Sequence, residues 1–125
     1  MNLISRSLIL VILLITTLIS CNQRQSEDDK HVTKTFKGLY SFGPEIKSFT
    51  DCEEGREYWV ADSARTLELA YSKFNFEKPY EPVYVEVVCH LIKSDSLVIS
   101  ADFDSTMVVT KVIKITKEIP EGPCN

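Results

Sequence analysis

Few side chains in this chain can do chemistry: four cysteines and two histidines in 125 residues. Cys21 closes an apolar run near the N-terminus, and Cys52, Cys89 and Cys124 are spread over the rest. A thiol acts as nucleophile, metal ligand or disulfide partner, and each use needs a suitable neighbour. Cys89 and His90 are adjacent, but consecutive strand residues point to opposite faces, so the two do not converge on one metal ion. His90 with Glu86 on an outer sheet face is at most a weak copper or zinc site. His31 lies in a polar stretch, and neither histidine has a serine or carboxylate neighbour that sequence can place for a triad or an acid–base pair. Asp102-Phe103-Asp104-Ser105 starts like a calcium loop but lacks the next glycine and the distal glutamate, and reads as a solvated loop. The chain is therefore expected to be no enzyme, with no catalytic residues, no metal and no cofactor.

Cys21 has a different chemistry. Leu18-Ile19-Ser20-Cys21 follows an n-region holding Arg6 and an apolar run from Leu8 to Leu18, too short to span a bilayer comfortably. With that run before it, the tetrapeptide resembles the lipobox of bacterial lipoproteins. The resemblance implies cleavage before Cys21, a diacylated sulfur and a membrane anchor, because two or more chains at about 0.8 kcal/mol per buried methylene hold a protein stably. Residues 1–20 then form a signal peptide. Residues 21–34 are polar and read as a flexible tether, since they bury too little apolar surface to order themselves. Glu27-Asp28-Asp29 resembles the surface-export signal of Bacteroidetes lipoproteins. Asn22 stands where an inner-membrane retention signal has Asp. The expected location is the bacterial envelope, at the outer membrane, on its periplasmic or its surface face.

Removing residues 1–20 takes away only Arg6, so the formal charge falls from −4 to −5. A mildly acidic chain without a basic stripe is a poor nucleic-acid binder. Residues 35–125 suffice for one domain with a single core.

The pattern in that domain is mainly β. Phe36, Gly38, Tyr40 and Phe42 alternate as in a half-buried strand, and Gly38 suggests a bulge or strong coil in it. Gly43-Pro44 marks a turn. Ile46 to Cys52 reads as a second strand, Glu53-Glu54-Gly55 as a hairpin, and Glu57 to Ala61 as a third strand. From an Asp62 or Ser63 cap, Ala64, Leu67, Ala70, Tyr71 and Phe74 repeat at helical spacing for about three turns, with Arg65, Glu68 and Lys73 off the stripe. Val83, Val85, Val87, Cys89 and Leu91 share one face of a long strand. Leu97 to Ala101 forms a short extension, Asp102 to Ser105 a turn, and Met107 to Thr116 the last strand. Three strands, a helix and two long strands is the winding of a five-stranded OB-type Greek-key barrel, with the helix between strands 3 and 4 plugging its end.

With Cys21 lipidated, three cysteines remain in an oxidising compartment, so one stays unpaired. Cys89 shares a face with Val85 and Val87 and is expected to be buried. Cys52 and Cys124, at a strand end and near the terminus, are free to pair, and closing so long a loop contributes roughly 4 kcal/mol on the chain-entropy model.

Phe36-Lys37-Gly38-Leu39-Tyr40-Ser41-Phe42, Phe49-Thr50-Asp51-Cys52, Gly55-Arg56 and Trp59-Val60, with the closing run from Val108 to Ile115 and Pro123-Cys124, resemble the C-terminal OB domain of the NlpE family. These are envelope lipoproteins linked to copper homeostasis and the Cpx stress response. The resemblance also implies a disulfide between Cys52 and Cys124. The family's N-terminal lipocalin-like domain and its CxxC motif are not expected here, so copper handling and Cpx activation do not carry over. The expected function is a non-catalytic envelope module. Its strands 2 and 3, with loops Gly43 to Lys47 and Ser94 to Thr106, would bind a saccharide, peptide or partner protein through Phe49, Tyr58 and Trp59. The alternative is a stress or copper-homeostasis sensor acting through a redox-responsive Cys52–Cys124 bond.

Overall fold

Alternation of large apolar and polar residues produces five strands, and a computed structural model describes them within residues 31–95, 99–103 and 105–125, with Leu3 besides. Cys21, the expected site of lipidation, lies outside the described residues. Strands β1 (Lys34–Phe42), β2 (Lys47–Asp51) and β3 (Glu57–Ala61) precede helix α1 (Thr66–Ser72), and β4 (Val83–Lys93) and β5 (Ser105–Thr116) follow it. They close a barrel in the order β1-β2-β3-β5-β4. All neighbouring pairs are antiparallel except β3 with β5, which run parallel through Trp59↔Thr106 to Ala61↔Val108. This is an OB-type barrel, and its compact unit begins at His31, four residues before the expected boundary.

β1 belongs to both halves of the barrel: Gly38, Leu39 and Tyr40 pair with β2 on one side and β4 on the other. Gly38 is required there by space, because a Cβ would run into the Phe49 ring and the Thr50 carbonyl. Of the bulge or strong coil expected at Gly38, the bulge is absent, since register is unbroken through it on both sides. Register shifts fall in the β4–β5 ladder, between Glu86 and Val87 and between Val88 and Cys89, where β5 takes up extra residues and bends.

The core consists of inward residues from every strand and the helix: Tyr40, Phe49, Tyr58, Val60, Leu67, Tyr71, Val83, Val85, Val87, Cys89, Met107 and Val109. Leu91 leaves this set, being 37 % exposed. β4 continues past β1, whose last partner is Cys89 opposite Lys34, so no strand covers Leu91 on that side. Tyr40 is fully buried, and its hydroxyl has no hydrogen-bond partner among the described residues.

α1 is shorter than its sequence pattern. Arg65 sits in the left-handed region at φ 55°, which separates Asp62 and Ser63 from the helix. Asp62 still caps it from outside: Thr66 N–H donates to Oδ1 at 3.1 Å, and Leu67 and Glu68 N–H donate to Oδ2 at 2.7 and 3.1 Å. Asn75, at φ 48°, turns the chain away after the last turn, leaving Phe74 beyond the helix end. The segment expected to extend from Leu97 to Ala101 instead contains a 3₁₀ turn over Ile99–Asp102, while residues 96–98 lie outside the described residues.

Cys52 and Cys124 form a disulfide, Cα–Cα 4.7 Å, across 72 residues of chain. Cys89 is free and buried, and burial pushes its thiol up to about 12, which keeps it protonated and unreactive.

Candidate functional site

Strand alternation decides which aromatic residues can meet a ligand. Phe49 and Tyr58 do not: they are 0 % and 3 % exposed and face the barrel interior. There Phe36 sets its edge against both rings, at centroid distances of 6.3 and 6.0 Å. Tyr58 and Trp59 are consecutive residues of β3 and must face opposite ways. Phe49 and Tyr58 therefore drop out of the expected surface, and of the three only Trp59 faces outward.

Trp59 is half-buried on the outer face. Its register partners are small hydroxyl residues, Ser48 on β2 and Thr106 on β5, which give its ring room to lie across the sheet. Both partners are buried. Phe103, from the β4–β5 connection, packs edge-on against the indole at 5.7 Å. Next to it the Ser94 and Thr106 hydroxyls hydrogen-bond at 3.1 Å. Phe103 was legible only as part of a polar loop, and nothing local in Asp-Phe-Asp marks it as a partner for a residue more than forty positions earlier.

A second feature was not anticipated from the sequence. A cleft of about 690 Å³ opens between the β1–β2 turn, α1 and the segment after it, with Phe42, Tyr71 and Phe76 as its aromatic lining and Pro44 and Pro79 in its walls. Lys47 and Glu68 add charge to its lining. Lys47 Nζ meets Glu68 Oε1 at 2.5 Å, and Arg65 Nε meets Oε2 at 3.2 Å. Glu68, assigned to the solvent side of the helix by its spacing, is only 6 % exposed. Burial raises its carboxyl, but the hydrogen bonds and charges of Lys47 and Arg65 outweigh that, so it lies below the usual carboxylate range. Tyr71 donates its hydroxyl to the Glu81 carbonyl at 2.7 Å. The cleft wall is fastened by Tyr80: its N–H donates to the Phe42 carbonyl at 3.0 Å, and its hydroxyl accepts from Glu45 N–H at 3.3 Å. The Tyr80 ring occupies the space a Cβ on Gly43 would need.

The disulfide end is built differently. Tyr84 lies on the outer face of β4 yet is 6 % exposed, and it lines a small cavity with Pro120, Pro123 and the Cys52–Cys124 pair. Its hydroxyl donates to Glu86 Oε1 at 2.9 Å, and the Lys114 ammonium stands 5.9 Å from its ring centroid. This uses the carboxylate that was paired with His90 as a weak metal site, while His90 stacks on His31. Among the described residues no cluster of three or more His, Cys, Asp or Glu side chains could hold a metal ion. No described helix is long and apolar enough to cross a membrane.

Fold and site together define a small OB domain with a disulfide-fastened tail. The family model for the NlpE C-terminal OB domain matches residues 30–123, and the chain belongs to that family. Among solved structures it is similar to the crystal structure of the Cpx pathway activator NlpE from Escherichia coli, with a TM-score of 0.55 and 22 % identity. That match covers 70 % of this chain and 42 % of the other, so the chain spans less than half of the length of that protein. A search of curated proteins gives no match.

Proposed function

We propose that this protein is a non-catalytic envelope lipoprotein, moored by lipid on Cys21, whose OB barrel binds an envelope partner protein through the Trp59–Phe103 face. Membership of the NlpE C-terminal OB domain family supports the envelope assignment, and the similar Escherichia coli protein is a Cpx pathway activator. The observation carrying the binding face is that Trp59 stays outside the core with Phe103 set against it, at the strand and loop positions where OB barrels bind their ligands. Partly exposed aromatic residues that already have a fixed neighbour bury large area at small entropic cost, as interface anchors do.

Affinity capture from detergent-solubilised envelope tests this reading. Wild-type protein is expected to retain a partner set that Trp59→Ala loses, while the variant keeps its thermal midpoint. Identical partner sets from both proteins remove Trp59 from the interface. Metabolic labelling with palmitate tests the anchor separately: label is expected on wild type and absent from Cys21→Ala.

A second reading is supported by the Cys52–Cys124 bond, which holds the C-terminal segment against Tyr84 and would release it on reduction. As an envelope stress or copper-homeostasis sensor, the protein would then report redox state. Unchanged stress output and copper tolerance in cells carrying Cys52→Ser with Cys124→Ser would eliminate this role.

A further inference from the structure

We propose that the cleft beside α1 binds a small organic acid with an apolar body, its carboxylate on the Lys47 ammonium and its ring or chain among Phe42, Tyr71 and Phe76. The cleft volume of about 690 Å³ lies in the range of pockets that enclose one drug-sized molecule. Its aromatic lining is continuous. Tyr71 meets Phe42 at a centroid distance of 5.7 Å and an interplanar angle of 73°, and Phe76 at 5.2 Å and 44°. Phe42 and Phe76 are only half-buried, so their rings still present apolar surface to the cleft. An apolar guest that covers those rings releases their water.

The walls are fixed before any ligand arrives. Tyr71 is tied through its hydroxyl to the Glu81 carbonyl, Tyr80 holds the end of β1, and Glu68 holds Lys47. A guest therefore binds with little ordering of side chains left to do.

Lys47 selects the head group. The charged residues of the lining are Lys47, Glu68, Glu77 and Lys78. Glu77 and Lys78 are consecutive, exposed and opposite in sign, and together favour neither an anion nor a cation. The other two differ in access. The Glu68 side chain is 8 % exposed and its two oxygens already face Lys47 and Arg65, whereas the Lys47 side chain is 35 % exposed. An ammonium has three N–H donors, and the bond to Glu68 uses one of them. Of this pair, the group a guest can reach is a positively charged donor. A carboxylate accepts from it in a charge-assisted bond, a neutral amide in a weaker one, and an amine is repelled. Lys117, standing over Phe76 at 4.6 Å from its centroid, brings a further cation beside the aromatic lining. None of these residues belongs to the Trp59–Phe103 face, so the acid and a partner protein would occupy separate sites.

Backbone amide NMR spectra of the isotopically labelled full chain in a non-ionic detergent test the site with two probes of equal length and ring, hydrocinnamate and its neutral amide. Wild type is expected to show saturable shifts at residues 42–47 and 68–79 with hydrocinnamate, and a Kd about tenfold higher for the amide. Lys47→Gln keeps a donor without the charge and leaves Glu68 its bond to Arg65, so it is expected to bind the two probes equally. Lys78→Gln is expected to retain the preference for the acid. Phe76→Ala is expected to weaken both probes by about fivefold, with strand amides unchanged. Equal affinity of wild type for acid and amide overturns the proposal. So does a preference that survives Lys47→Gln or disappears in Lys78→Gln, full affinity in Phe76→Ala, or the absence of saturable shifts at these residues.

Discussion

The two ends of β1 are fastened by different physics. Near its start, the Cys52 N–H donates to the Lys37 carbonyl and the Cys52–Cys124 bond ties the C-terminal segment down over Tyr84. At its end, the Phe42 carbonyl accepts from Tyr80, and the neighbouring cleft is lined by a carboxylate held between two cations. The first fastening acts largely on the unfolded chain, by removing conformations across 72 residues. The second acts only on the folded chain, because Lys47, Arg65 and Glu68 come together through tertiary structure. A covalent fastening is indifferent to mild acid and sensitive to reductant; an ionic one is the reverse.

The largest effect expected from this contrast is at the disulfide. Cys52→Ser with Cys124→Ser should lower unfolding free energy by about 2–5 kcal/mol in urea titrations. Dithiothreitol should reproduce the loss in wild type and leave the double variant unaffected. A loss below about 1 kcal/mol would mean that the tail is held by packing on Tyr84 rather than by the bond.

Next is the ion cluster. Glu68→Ala should cost about 1–3 kcal/mol, since a buried carboxylate with two charged partners is removed. Its pH dependence identifies it. The folded group titrates below its unfolded value, so its contribution is complete above the unfolded pKa and is lost as pH falls through the folded one. Unfolding curves taken from pH 6 down to pH 3 should therefore fall more steeply for wild type than for Glu68→Gln. Parallel curves would show that the cluster adds nothing to stability in this range.

The cap that starts the helix beside the cleft should matter slightly less. Asp62→Ala removes the acceptor of three backbone N–H groups and should cost about 1–2 kcal/mol by thermal or urea unfolding. Hydrogen exchange should quicken at Thr66, Leu67 and Glu68 before it does in the strands. The smallest change has the opposite sign. Tyr40→Phe deletes a buried hydroxyl that has no partner among the described residues, and should raise stability by up to about 1 kcal/mol. A loss of stability instead would mean that the hydroxyl is satisfied by an internal water.

Much of the barrel is legible in the sequence. β3 spans the residues its alternation marked, β1 and β4 read correctly through Phe42 and Cys89, and the inward position of Cys89 left Cys52 and Cys124 as partners. Alternation also contained the correction to the binding face: residues 58 and 59 are adjacent in a strand, so only one of Tyr58 and Trp59 could face outward. The helix was recognisable by period but not by length. Its pattern runs on through Phe74, and the left-handed Arg65 and Asn75 that limit it carry no obligatory sequence signal.

Side-chain period and cysteine positions, properties of neighbours along the chain, were enough to specify strands, order and staple. The exposure of Leu91, the burial of Glu68, the pairing of Trp59 with Phe103 and the cleft beside Tyr71 were decided only when distant segments packed. Each depends on which strand ends first, or on which charge arrives beside another, and a one-dimensional pattern does not hold that information.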